Sequence, residues 1–222
     1  TRLALFLCFF GFVGSLAAQP VVSTNKAAYL VLAPIVVTYS GLSGDANDYI
    51  TIVPANSADN VWKEYYKTGG KVSGTMNFLP QEPGSYEARV HLRNNDNVVS
   101  ARVGFTVSYP NSTIATDKTA YLVLEPVTVT YSNLPGYPDD YITIVLANSA
   151  DNVWKEYYKA AGNKNGTMKF TAELEPGTYE ARLHFRNEDP VVRARARFTV
   201  SFPNSTIATD KASYAVSEPV TV

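Results

Sequence analysis

Apolar and polar positions alternate along most of this chain with a period of two. After Pro83-Gly84, Tyr86, Ala88, Val90 and Leu92 fall on one side of the pattern, and Glu87, Arg89, His91 and Arg93 on the other. Successive side chains of a β-strand point to opposite faces, so this segment reads as a strand with one packed and one wet face. Tyr179, Ala181, Leu183 and Phe185 repeat the alternation against Glu180, Arg182, His184 and Arg186. Short runs rich in Val, Ile, Tyr, Phe and Thr, punctuated by Gly, Pro, Asn and Asp, predict strands near 34–39, 49–53, 61–66, 74–78, 85–93 and 98–107. An earlier edge strand is expected at 22–28. Helical periodicity is confined to the start of the chain. There Thr1-Arg2 precede an apolar run from Leu3 to Val13 and the small residues Gly14-Ser15-Leu16-Ala17-Ala18. A basic start, a short apolar core and small residues at a boundary make a secretory signal peptide over 1–18. The run falls short of the ~20 residues of a membrane span; a buried helix of a cytosolic domain is the other use for such a segment. Export implies a secreted, extracellular or cell-surface protein, with no membrane insertion in the mature chain.

Internal repetition sets the organisation. The run ANSADNVWKEYYK at 55–67 returns unchanged at 147–159, and the linker PNSTIATDK at 110–118 returns at 203–211. Repeat one is therefore placed at 19–109 and repeat two at 110–202. A third copy starts at 203 and reaches Val222, so further sequence downstream is expected. Shared segments of this length imply recent duplication and one common fold.

Seven short strands in about 90 residues is the count of an immunoglobulin-like sandwich. The Pro-Gly-x-Tyr-Glu-Ala-Arg corner at 83–89 and 176–182, and the closing Phe-Thr-Val at 105–107 and 198–200, carry the comparison. Both repeats resemble extracellular immunoglobulin-like and fibronectin-like sandwiches, which implies an all-β fold of tandem seven-stranded antiparallel β-sandwiches. Tyr86 and Tyr179 stand where such sandwiches carry a tyrosine corner. The strand Asp48-Tyr49-Ile50-Thr51-Ile52-Val53, with its copy beginning at Asp140, is similar to a strand of the accessory β-sandwich of purple acid phosphatases and to the SKICH-type sandwich.

Composition narrows the chemistry. Nineteen Lys and Arg against 20 Asp and Glu leave a net charge of −1, without the basic excess of a nucleic-acid binder. The single cysteine, Cys8, lies in the signal segment, so neither a disulfide scaffold nor a multi-thiolate zinc site is available. The two histidines, His91 and His184, occupy the same repeat position between arginines and are expected to be exposed. No phosphate loop, nucleophile elbow or zinc-protease motif occurs, and the chain is expected to be non-enzymatic.

Four candidate surfaces follow. Arg193, Arg195 and Arg197 alternate on one strand, across a turn at 187–190 from Arg182, His184 and Arg186. Such a row suits sulfate, phosphate or uronate groups of an anionic glycan, or else is a solvated face balanced by neighbouring Glu. Trp62 and Trp154 are expected in or near the core; the alternative is a carbohydrate-stacking platform with Tyr65 and Tyr66. Asp59, Asp139, Asp140 and Asp189 suit either a calcium site beside the linker or ordinary turn chemistry. Asn111, Asn165 and Asn204 open Asn-x-Ser/Thr sequons, read as surface glycosylation sites or as chance. No other cofactor is implied. Extracellular polysaccharide or other surface proteins are the expected partners. The leading functional expectation is a structural spacer, adhesion or matrix element; the other is an accessory or carbohydrate-binding region of a secreted hydrolase, such as a metallophosphoesterase, whose catalytic domain lies beyond Val222.

Overall fold

The computed structural model describes residues 18–171, 173–186 and 191–222. Residues 1–17 of the signal segment and the turn at 187–190 thus lie outside the described residues, Cys8 and Asp189 with them. The chain divides into two compact units between Tyr109 and Pro110. No helix among the described residues is long and apolar enough to cross a membrane.

Unit one contains β1 (Val21–Thr24), β2 (Ala28–Leu30), β3 (Ile35–Ser40), β4 (Tyr49–Pro54), β5 (Glu64–Lys67), β6 (Gly74–Phe78), β7 (Gly84–His91) and β8 (Ala101–Ser108). They form a three-stranded sheet, β1-β3-β6, and a five-stranded sheet, β2-β8-β7-β4-β5. Unit two repeats the plan with β9 (Thr113–Thr116), β10 (Ala120–Leu122), β11 (Val127–Ser132), β12 (Tyr141–Leu146), β13 (Glu156–Lys159), β14 (Gly166–Phe170), β15 (Gly177–His184) and β16 (Ala194–Ser201). Its sheets are β14-β11-β9 and β10-β16-β15-β12-β13.

The expected edge strand at 22–28 divides in two. β1 pairs antiparallel with β3, while β2 crosses to the other sheet and pairs in parallel with β8. Among the described residues each unit therefore has eight strands rather than seven, and one pairing in each departs from the antiparallel rule. The core lies between the sheets, where Ile35, Val37 and Phe78 meet Ile50, Ile52, Ala88, Val90 and Phe105, all at most 3% exposed. Burying several such side chains, at ~1.5–3 kcal/mol each, stabilises a module that has no disulfide. Gly74 and Gly166 open β6 and β14 because a Cβ there would stand 2.8 Å and 2.5 Å from the hydroxyls of Tyr39 and Tyr131.

In unit two the segment from the end of β9 to the start of β11 closes on itself through local contacts. Asp117 donates its N–H to Thr128 O at 3.0 Å, Tyr121 Oη donates to the Asp117 carboxylate, and Lys118 pairs with Glu125. The turn brings Leu124 into the left-handed region at φ +66°. Segment 203–222 holds no strand, yet it repeats these contacts: Asp210 N to Thr221 O at 3.1 Å, Tyr214 to Asp210, and Lys211 to Glu218.

Candidate functional site

The expected wet face of β7 is covered. Arg89 and His91 are fully buried, and Arg182 and His184 are 1% exposed. The connection between β4 and β5 folds back over this face, because Arg89 holds it there. Its Nη1 donates to Ala58 O at 2.8 Å, its Nη2 to Ser57 O at 2.7 Å, and its Nε to Glu87 at 2.9 Å. Arg182 does the same with Ala150 O, Ser149 O and Glu180 at 2.8, 2.9 and 3.0 Å. A planar guanidinium with donors on two edges suits this bridge between a carboxylate and two carbonyls. Arg182 is thus a clamp inside unit two rather than a cation presented to a glycan.

The histidines are likewise not exposed. His91 stacks on Tyr49 with ring centres 4.7 Å apart and planes 4° from parallel, and the His184–Tyr141 pair has the same geometry. His91 Nδ1 lies 3.2 Å from Asn95 O, while Nε2 is buried with no partner. A neutral ring with its proton on Nδ1 fits these surroundings, since an unpaired acceptor is cheaper to bury than a charge. Burial accordingly holds the His91 pKa below its ordinary value.

The arginine row is consumed within the unit. Arg195 donates to Glu180 at 2.8 Å and to Asp151 at 2.6 Å, and Arg197 donates to Glu180 at 2.9 Å. With Arg182, three guanidinium groups converge on one buried carboxylate. Burial pushes the Glu180 pKa up, but the bonds from Arg197, Arg195 and Arg182 outweigh it and the net shift is downward. Arg186 lies over the Tyr137 ring at 4.3 Å and donates to its hydroxyl at 2.7 Å, and Arg193 lies 5.3 Å over Phe185. Of the ladder expected to face an anionic glycan, Arg182 is buried, while Arg195 and Arg197 pair with Glu180 from the exposed side of the sheet. In unit one Arg102 joins Glu87 and Asp59 in the same way, at 3.3 and 2.8 Å.

The three described acids of the set proposed for calcium have partners within the chain. Asp59 answers Arg102, and Asp139 pairs with Lys159 at 2.7 Å. Asp140 is fully buried, and its two oxygens accept the backbone N–H groups of Gly136, Tyr137 and Arg186. Among the described residues, no three His, Cys, Asp or Glu side chains gather as a metal site would require. Asn111, Asn165 and Asn204 are all exposed, and Asn165 Oδ1 accepts the Asn133 N–H at 3.0 Å.

The aromatic residues part company. Trp62 and Trp154 are 52% and 60% exposed, so they are not core residues. Trp62 meets Tyr65 edge to face at 5.3 Å, and Tyr65 meets Tyr49 at 5.6 Å. Trp154, Tyr157 and Tyr141 repeat this run of rings at 5.4 and 5.7 Å. Tyr66 points from the opposite face of β5, as strand alternation requires, and packs on Phe78 at 5.0 Å. The platform therefore contains Trp62 and Tyr65 but not Tyr66. Beside it lies a depression of about 130 Å³ lined by Tyr49, Trp62, Tyr65, Asn94 and Asp96. Tyr49 Oη donates to Asp96 at 2.6 Å; burial, followed by this bond, raises the Tyr49 pKa. Tyr49, Asn94 and Asp96 escaped the sequence reading, because nothing local links a strand start to a turn more than forty residues later.

The tyrosine corner completes the architecture: Tyr86 and Tyr179 each donate at 2.9 Å to the carbonyl four residues upstream, of Glu82 and Glu175. Both units are immunoglobulin-like β-sandwiches. No family model matches the chain, and no curated protein matches it. Solved structures do match. The D0-D1 domain of intimin is 17% identical over 82% of this chain and 97% of its own, with a TM-score of 0.29. FdeC, an Escherichia coli adhesin, is 17% identical over 87% of this chain and 68% of its own, at 0.36. The purple acid phosphatase PPD1 of yellow lupin is 13% identical over 86% of this chain and 43% of its own, at 0.35. The fold assignment rests on strand order, register and the tyrosine corner.

Proposed function

We propose that this chain is a non-enzymatic protein of the cell surface or extracellular space, in which repeated immunoglobulin-like modules act as a spacer and adhesive element. One observation carries the reading. In both units buried ionic groups are spent on holding the module together: Arg89 in one, and Arg182, Glu180 and Asp140 in the other. Both modules also turn a Trp–Tyr ledge outward. Duplication of a self-clamped module supplies reach and repeated contact points, which suits attachment better than turnover. The apolar amino-terminal run of the sequence supports export. Antibody against the two units is expected to label intact cells of the source organism, and the purified chain to compete with those cells for attachment. Labelling that appears only after permeabilisation overturns the proposal.

A further inference from the structure

We infer that the depression beside Trp62 is a binding site for a neutral saccharide, one pyranose ring seated on the Trp62–Tyr65 ledge with its hydroxyls turned to Asn94 and Asp96. This deepens the adhesive reading, which it rests on, by giving the modules a ligand class.

Three features of the site lead to it. The first is exposure without a packing reason. Trp62 is 52% exposed, and the ring it touches is Tyr65. Other positions on the 55–67 run have structural duties: Ser57 and Ala58 lend carbonyls to Arg89, Asp59 pairs with Arg102, and Glu64 accepts the Leu79 N–H. The run is identical in both repeats, Trp included, although Asn77 and Lys169, Leu79 and Thr171, and Gly104 and Arg197 have diverged at matched positions.

The second feature is chemical complementarity. A pyranose ring has an apolar C–H face and a hydroxyl rim. An exposed aromatic face with an amide and a carboxylate beside it answers both, and the Asp96 carboxylate can accept further donors besides Tyr49. None of the lining residues is cationic and one is acidic, which disfavours an anionic sugar.

The third is size. At about 130 Å³ the depression is well below the ~300–1,000 Å³ of drug-sized sites, so it takes one ring and leaves the rest of an oligosaccharide in solvent. A protein partner would need roughly 800 Å² on each side.

Trp62 and Trp154 are the chain's two tryptophans, so the Trp154→Phe variant makes emission a report on Trp62 alone. Titrating this full-length variant with cellohexaose and with chitohexaose is expected to give a saturating blue shift or quench with at least one of them. Tyr65→Ala or Asp96→Ala, added to that background, is expected to weaken the response tenfold or more, with the melting curve confirming a folded chain. Trp62→Tyr in the native background, read by calorimetry, is expected to keep part of the binding. The proposal is overturned if neither hexasaccharide moves the emission, if only oligogalacturonate does, or if the response survives Tyr65→Ala and Asp96→Ala undiminished. Surface labelling that persists beside such a result leaves the spacer reading standing; loss of labelling removes the adhesive reading itself.

Discussion

Asp140 shows how much one side chain settles. Its Oδ2 accepts the Gly136 and Tyr137 N–H groups and its Oδ1 accepts that of Arg186, tying the β11–β12 loop to the end of β15. Asn has one acceptor oxygen and an NH₂, so Asp140→Asn sets donor against donor on one side. A loss of about 1–3 kcal/mol in unit two is expected from urea unfolding. His91 makes a pH-dependent contribution of definite sign. Its folded pKa lies below the ordinary 6.5, so the unfolded chain takes up the proton first as pH falls. Stability should therefore decline as pH drops from 6.5 toward the lowered value, and be fully present above 6.5. Urea midpoints measured between about pH 7.5 and 5.5 should fall in the native chain and fall less steeply in His91→Gln. A histidine between two arginines on an alternating strand reads as exposed. Its burial depends on a loop that local pattern does not place.

At the scale of elements, the β4–β5 connection is the decisive piece. Arg89→Met leaves the Ser57 and Ala58 carbonyls and the Glu87 carboxylate without their common donor. A cost of about 3–5 kcal/mol is expected, as for breaking a buried charged pair, with faster amide exchange across 55–63. The Glu180 network has the opposite dependence on acid from a raised base. Its folded pKa is depressed, so its stabilisation is present above the ordinary Glu value of 4.5 and lost as pH falls through the folded value. Glu180→Gln should remove that acid sensitivity from unit two, as followed by near-ultraviolet circular dichroism below pH 4.5. Elements differ in how far they could be read in advance. The strand at Gly74–Phe78 and the tyrosine corner were legible, because alternation and the Pro-Gly-x-Tyr turn act over a few residues. The start of β5 at Glu64, rather than near 61, was not. Its edge is set by pairing with β4, where Ile52 meets Glu64, while the preceding residues cross the sheet.

For the whole molecule, the single cysteine makes a direct prediction. Melting temperature should be the same with and without reductant, since no intramolecular disulfide can form. Chelator should also leave it unchanged, because Asp59, Asp139 and Asp140 already have protein partners. A calcium-dependent rise would reopen the metal reading.

By itself the sequence determined the repeat plan, the all-β class and the self-closing segment that 203–222 rebuilds without any sheet around it, for these depend on contacts between residues close along the chain. Tertiary structure alone decided which charged face is covered, which arginines pair with the same carboxylate, and which of three neighbouring aromatic rings packs on Phe78 rather than joining the ledge. Alternation assigns a side chain to one of two faces. What lies over that face comes from segments far along the chain, and Arg89 reaching the carbonyls of Ser57 and Ala58 is such a contact.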